Sequence, residues 1–291
     1  MELKWVRRGE PGALVVEDVE RCGVHYLEFP LLASSGLVSH GFATRLGGVS
    51  QGKYASMNLS FTRGDDPEHV RENYRRMAEA LDVDMERMVL TYQTHTTNVR
   101  RVGREDEGKG LVRERDYRDV DGLITDVPGI TLVTFFADCV PLYFLDPVHR
   151  AIGLSHSGWR GTVGRMGEVT VKAMEKAFGT RPEDVLACVG PSICQDCFEV
   201  GEEVVGEFQR SFDRKWWEEL FYRKSSGKFQ LDLWKSNEII LREAGVLPEH
   251  IQVTDICTRC NPRYLFSHRF AGEDRGNLAA FLCLKGDGEP G

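Results

Sequence analysis

A single α/β domain is the fold class this sequence predicts, and three observations carry that prediction. Strand-like apolar runs and helix-spaced stripes intermix along the chain with no linker between them. Three runs, Ile130 to Phe136, Pro141 to Leu145 and Ala151 to Leu154, are nearly continuous in apolar residues, as in a sheet buried on both faces. The length, 291 residues, gives ample material for one large core. The reading is one domain over residues 1–291, with Gly286 to Gly291 as a mobile tail.

The elements follow in order. Partial alternation over residues 12–31 (Ala13-Leu14-Val15-Val16, then His25 to Phe29) predicts an early hairpin, and Arg45 to Gly52 is a glycine-rich loop. Asp65 or Asp66 caps a helix with Pro67 in its first turn and Val70, Tyr74, Met77 and Leu81 as its stripe. Residues 103–119 are charged and read as an exposed loop. After the three apolar runs, a helix from about Val163 to Phe178 turns Met166, Val169, Ala173 and Ala177 inward and stops at Gly179. Val185 to Gly190 is a strand, Glu202 to Phe212 and Leu233 to Ala244 are helices, and Ile251 to Ile256 and Leu278 to Leu284 are late strands.

Composition narrows the function. A net charge of −8 argues against duplex nucleic acid or an anionic membrane as partner, while leaving room for an anionic small substrate at a local basic site. No apolar run approaches the roughly 18 residues of a membrane span. The N-terminus opens no signal-peptide core. Eight cysteines in this length are too sparse for a disulfide scaffold, so the expectation is reduced thiols and a cytoplasmic protein.

Three short segments hold the candidate chemistry: Gln93-Thr94-His95, Ala137-Asp138-Cys139-Val140-Pro141 and His156-Ser157-Gly158-Trp159-Arg160-Gly161. His95, Cys139 and His156 each fall where an apolar run ends, and Pro141 is expected to interrupt pairing beside Cys139. Two imidazoles and one thiolate are a plausible cage for a tetrahedral Zn²⁺ that keeps one position open for chemistry. Taken singly, each is as readily a hydrogen-bonded His or a small buried Cys, and no His-Glu-x-x-His spacing is present. Cys194/Cys197 and Cys257/Cys260 form two C-x-x-C pairs. The usual zinc-ribbon gap is roughly 15–20 residues. Cys197 and Cys257 stand 60 positions apart. Buried thiols are therefore expected there rather than a four-cysteine zinc.

Together the segments resemble the YfiH/YlmD family, also called the laccase-domain or multicopper polyphenol oxidase family. The resemblance runs through His40 to Ser50, Asn58-Leu59, Asp65-Asp66-Pro67 and the three segments above. It continues through Gly190-Pro191-Ser192-Ile193, Leu231-Asp232-Leu233, Cys257-Thr258 and Phe266-Ser267-His268-Arg269. It implies a layered α/β/β/α fold with mixed sheets, and His95, Cys139 and His156 as metal ligands. It also implies phosphorolysis of adenosine, inosine, guanosine and methylthioadenosine, and deamination of adenosine. The sequence departs from the family pattern at Thr96, at Ser157 and at Gly276-Asn277, where Gly-Arg is usual.

Within that frame Asp138 is the acid–base candidate, or else a support for the metal ligands. Arg45 and Arg160 are candidate phosphate contacts. Asn58 and Gln93 could hydrogen-bond the nucleoside or brace their loops. The partners expected are a purine nucleoside and phosphate, and the oligomeric state is open. Copper is compatible with a His₂Cys set, although eight histidines in all are few for a multicopper oxidase. A Cys–His hydrolase built on Cys139 and a non-catalytic nucleotide-binding module remain as alternatives.

Overall fold

The computed structural model describes residues 3–9 and 16–286. Its strands are β1 (Glu17–Arg21), β2 (Val24–Glu28), β3 (Val38–Ala43), β4 (Met88–Leu90), β5 (Val99–Arg101), β6 (Gly122–Thr125), β7 (Thr131–Phe136), β8 (Val140–Asp146), β9 (Ala151–Ser157), β10 (Leu186–Val189), β11 (Glu199–Val200), β12 (Phe221–Arg223), β13 (Phe229–Leu231), β14 (Ile251–Val253) and β15 (Leu278–Leu284). The helices are α1 (Pro30–Ala33), α2 (Pro67–Leu81), α3 (Trp159–Val163), α4 (Met166–Phe178), α5 (Glu202–Ser211), α6 (Trp217–Leu220), α7 (Leu233–Glu243) and α8 (His268–Ala271).

Two six-stranded sheets run β1-β2-β3-β15-β7-β4 and β14-β10-β8-β9-β6-β5, with a small sheet β11-β13-β12 beside them. Both large sheets are mixed. The pairs β4–β7, β5–β6 and β10–β14 are parallel, and their other pairs are antiparallel. Side-chain alternation fixes the layers. Leu132 and Phe136 of β7, with Leu278, Ala280 and Leu282 of β15, meet Tyr143, Leu145, Ile152 and Leu154 of the second sheet in a buried core. The opposite faces of β7 and β15 present Val133, Ala279 and Phe281 to Val70, Tyr74 and Met77 of α2. On the far side Val140, Leu142 and Phe144 of β8 pack with Val171 and Met174 of α4, Phe208 of α5 and Ile240 of α7. The result is the α/β/β/α layering that the resemblance implies.

Local signals explain the elements that were legible. The Asp66 carboxylate accepts the Glu68 N–H at the head of α2, where Pro67 has no N–H to satisfy. The early hairpin is β1–β2, although Ala13 to Val15 and residues 287–291 of the expected tail lie outside the described residues. Four expectations change. The three apolar runs belong to two sheets, because the chain crosses from β7 to β8 in the three residues 137–139. Pro141 does not break β8: it sits opposite His156, and its carbonyl accepts the Gly190 N–H. The helix expected from about Val163 to Phe178 starts at Met166, after Arg165 takes a left-handed backbone (φ 59°) that parts it from α3, and its buried face is Met166, Thr170, Val171 and Met174 while Val169 and Ala173 are only half-buried. Residues 103–119 are not simply exposed, since buried Asp106 binds Lys109 at 2.8 Å and Arg100 at 2.9 Å. Among the described residues no helix is long and apolar enough to cross a membrane.

Candidate active site

Strand direction brings the three candidate ligands to one edge of the sandwich. β4 and β7 are parallel, so the loop after β4, which carries His95, and the turn after β7, which carries Cys139, leave the same side. The chain then enters β8, and antiparallel β9 ends beside the start of β8, placing His156 there. Asp121 immediately precedes β6, which is antiparallel to β9, and so arrives at this edge as well.

One ligand atom from each of His95, Cys139 and His156 lies within 4.8 Å of the other two. The two imidazole rings are 4.9 Å apart and nearly perpendicular, at 79°. His156 is buried, Cys139 half-buried and His95 exposed. Gly158 permits this closeness: a Cβ there would lie 3.0 Å from Cys139 Sγ and 3.2 Å from His95 Cδ2.

Asp121 organises the trio. Its fully buried carboxylate accepts His156 Nδ1–H at 2.8 Å. It also accepts the N–H groups of Thr94, His95 and Thr96 at 3.0–3.1 Å and the Thr96 hydroxyl at 3.0 Å. One side chain thus sets the tautomer of His156, leaving its Nε2 to coordinate, and holds the His95 loop, where His95 has φ 64°. Burial raises the Asp121 carboxyl, but the His156 hydrogen bond and the backbone N–H groups outweigh it and hold it below the usual range. Burial also pushes the Cys139 thiol up, yet the His156 charge and hydrogen bonds from both imidazoles bring it down to about 6. Burial opposes charge on His156 as well, and Cys139 with Asp121 lifts it to about 9. Without a metal these groups form a thiolate–imidazolium pair, and a thiolate is the form that coordinates. Two imidazoles and a thiolate backed by a carboxylate fit a divalent metal with a fourth position left open.

Two cavities meet at this cluster. One, about 440 Å³, is lined by Phe61, Tyr92, Gln93, Arg115, Phe135 and Arg275 as well as by the three ligands. The other, about 320 Å³, reaches past His95 and Cys139 to Trp159, Phe198, His268 and Arg269. Arg275 lines both. Its Nη1 donates to Gly276 O at 3.0 Å, while its buried Nε has no protein partner.

The other predicted residues are placed as follows. Asp138 (φ 92°) lines the smaller cavity, but Thr258 O–H and Arg269 N–H each donate to its carboxylate at 2.6 Å, and Ile193 N–H donates to its carbonyl. Gln93 lies on the larger cavity with its amide bonded to both backbone groups of Phe135. Asn58 is buried and links Ser60, Asp65 and Asn277. Arg45 donates to the carbonyls of Ala55 and Pro262 and lies over the Phe266 ring. Arg160 rests on the face of Trp159. Neither cavity wall includes Arg45, Asn58 or Arg160. Sequence reasoning missed Asp121 and Arg275. An Asp before the strand-like run Gly122 to Ile124 was the only signal for the first, and the second directly precedes Gly276-Asn277, where the arginine usual in the family is displaced.

The four cysteines of the two C-x-x-C pairs also converge, with every sulfur within 4.8 Å of the others, against the expectation of separate buried thiols.

Comparison with known proteins finds relatives along nearly the whole chain. The profile of the family described as multi-copper polyphenol oxidoreductase laccase matches residues 39–285. A purine nucleoside phosphorylase of Bacteroides thetaiotaomicron is 39% identical over 261 residues, covering 89% of this chain and 96% of its own. Adenosine deaminase RL5, from an unknown prokaryotic organism, is 34% identical over 247 residues, covering 84% and 93%. The crystal structure of YlmD from Geobacillus stearothermophilus superposes with a TM-score of 0.85 at 34% identity, covering 94% of this chain and 99% of that one. On the span of that profile and these near end-to-end matches, the chain belongs to the YfiH/YlmD, or laccase-domain, family.

Proposed function

We propose that this protein is a zinc-dependent purine nucleoside phosphorylase acting on adenosine, inosine, guanosine and methylthioadenosine, with adenosine deaminase activity, and that it works in the cytoplasm. The observation that carries the reading is the convergence of His95, Cys139 and His156 at the junction of two cavities. The names of the relatives supply the substrate class. We infer zinc over copper because a multicopper oxidase needs a further histidine-rich copper cluster, and the only other potential metal group among the described residues contains no histidine.

When bound, zinc supplies Lewis acidity at the open coordination position. The chain's own residues do the rest. His156 and His95 are fixed by Asp121, so the ligands are preorganised. Phe61, Tyr92 and Phe135 offer aromatic surface for a purine. Gln93, with its amide bonded to Phe135, shapes that wall. We assign the phosphate contact to Arg275, whose guanidinium faces both cavities, in place of Arg45 and Arg160. Asp138 we assign to holding the Cys139 turn, since both carboxylate oxygens already accept hydrogen bonds. Asn58 braces the Ser60 and Asn277 segments that line the larger cavity.

The test is an incubation of adenosine and inosine with and without phosphate. Phosphorolysis gives free base and ribose 1-phosphate only when phosphate is present. Deamination gives inosine and ammonia from adenosine and water in either case. Zinc-loaded protein that turns over neither nucleoside would refute the reading. A second reading rests on the Cys139–His156–Asp121 chain, which has the form of a nucleophile, base and orienting carboxylate. Under it, zinc would inhibit rather than support turnover.

A further inference from the structure

We propose that Cys194, Cys197, Cys257 and Cys260 form a second, structural Zn²⁺ site, a closed tetrathiolate clip separate from the active site. The sulfurs all lie within 4.8 Å of one another, and none is in a disulfide. Cys197 Sγ and Cys260 Sγ are 3.5 Å apart. That is far beyond a disulfide bond of about 2.05 Å. It is close to the edge of a tetrahedron of sulfurs about 2.3 Å from zinc, which is about 3.8 Å.

The surroundings supply what a tetrathiolate needs. Four thiolates around Zn²⁺ leave two negative charges. Two guanidinium groups point at the sulfurs, Arg8 toward Cys260 at 3.6 Å and Arg259 toward Cys197 at 3.4 Å. Backbone N–H groups face them too. Cys194 N–H donates to Cys257 Sγ at 3.3 Å, and Cys260 N–H contacts the same sulfur. Among the described residues no carboxylate or imidazole joins the cluster. Cys194, Cys197 and Cys257 are buried and Cys260 half-buried. Four protein donors leave no open position, the arrangement of a structural rather than a catalytic zinc.

The location explains a purpose. The pair at 194 and 197 follows β10 and the pair at 257 and 260 follows β14; these strands are parallel, and a bridge between Ser192 and Cys257 extends their contact. The N-terminal segment joins through Asn261, which bonds both backbone groups of Val6. These same loops grip the Cys139 turn, through Ile193 N–H and Thr258 O–H to Asp138. A metal here would fasten three distant stretches of chain beneath one ligand of the active site.

The test leaves the four cysteines intact. The full chain carrying His95→Ala, Cys139→Ala and His156→Ala together is purified, its metal counted by mass spectrometry, and the zinc environment read by X-ray absorption. The expected result is one zinc per chain with four sulfurs at about 2.3 Å. In the wild-type chain, peptide-mapped alkylation should find all four thiols shielded together until a chelator releases that zinc. No zinc in the triple variant, a shell containing nitrogen, iron in place of zinc, or four freely labelled or disulfide-paired cysteines in fresh wild-type protein would overturn the proposal. Active-site metal and turnover are not needed for any of these readouts, so the result stands apart from the proposed function.

Discussion

The two clusters of metal-type donors differ in almost every respect that matters chemically. At His95, Cys139 and His156 the donors are mixed, three in number, graded from exposed to buried, and open onto two cavities. At the four cysteines they are uniform, four in number, and enclosed by their own turns. The neighbours are of opposite sign: a buried carboxylate steadies the first cluster, and two guanidiniums flank the second. A carboxylate behind a histidine raises its basicity and fixes its aim, which serves a metal that must exchange ligands. Guanidinium groups beside four thiolates would offset the two negative charges left when Zn²⁺ closes the set. Donor count and the sign of the neighbouring charge thus distinguish the site proposed to react from the site proposed to hold.

The sharpest way to break that contrast is at its first term. Cys139→Ala should lower kcat/KM for adenosine by more than about 100-fold and remove one zinc per chain, leaving the other zinc in place. Loss of both metals together, counted by mass spectrometry, would show that the clusters are not independent. Next in size, Asp121→Asn should weaken the active-site zinc about 10- to 100-fold, because an amide has one acceptor oxygen and cannot both hold the His156 tautomer and accept all three loop N–H groups. A competitive chelator titration reads this, and the zinc proposed at the four cysteines should not move. Arg275→Gln comes third, raising KM for phosphate about tenfold with little change in kcat for phosphate-free deamination. Equal loss in both reactions would place Arg275 in a general structural role.

Proton affinity sharpens the comparison further. In metal-stripped protein Cys139 has its thiol held down to about 6, from an ordinary value near 9. Its alkylation rate should therefore fall as pH drops through 6 and stay level above about 7. At pH 7 a thiol of that pKa is about 90% thiolate against about 1% for an ordinary one. The lower basicity costs about 20-fold in intrinsic nucleophilicity, so the net gain is about fourfold. A midpoint near 9 would mean that His156 and His95 do not act on this sulfur.

How much of this was legible in the sequence follows from how each feature is built. Features set by neighbours in sequence were readable: the Asp66–Pro67 cap, the α2 stripe and the apolar strands depend on residues a few positions apart. The assignment of His95, Cys139 and His156 to one cluster came from resemblance, since each is ordinary alone. Asp121 was invisible because its partners are mostly backbone N–H groups, which no residue type advertises. The break before α4 was invisible because the apolar spacing continues across Arg165 while the backbone turns left-handed. The four-cysteine cluster was set aside on spacing. Zinc-ribbon spacing assumes that two short hairpins approach directly. Here parallel pairing of β10 and β14 brings the pairs together, and a parallel connection must cross over, which α5 and α7 do. The gap of 60 positions measures that crossover, not the distance between the sulfurs.

The smallest predicted effect tests whether charge beside the sulfurs matters as the contrast requires. Arg259→Gln keeps a hydrogen-bond donor near Cys197 but removes the positive charge. Because this arginine is exposed to solvent screening and Arg8 still faces Cys260, only part of the compensation is lost. Zinc release from the tetrathiolate should quicken by about two- to threefold, equivalent to about 0.5 kcal/mol. Chromophoric chelator kinetics on the variant lacking the active-site ligands would measure it. Raised salt should mimic the substitution in the wild-type background and add little to the variant, since screening acts on the same exposed charge. Release that is unchanged by both would mean that the tetrathiolate is held by its turns alone, and the guanidiniums would then be neighbours without a role in it.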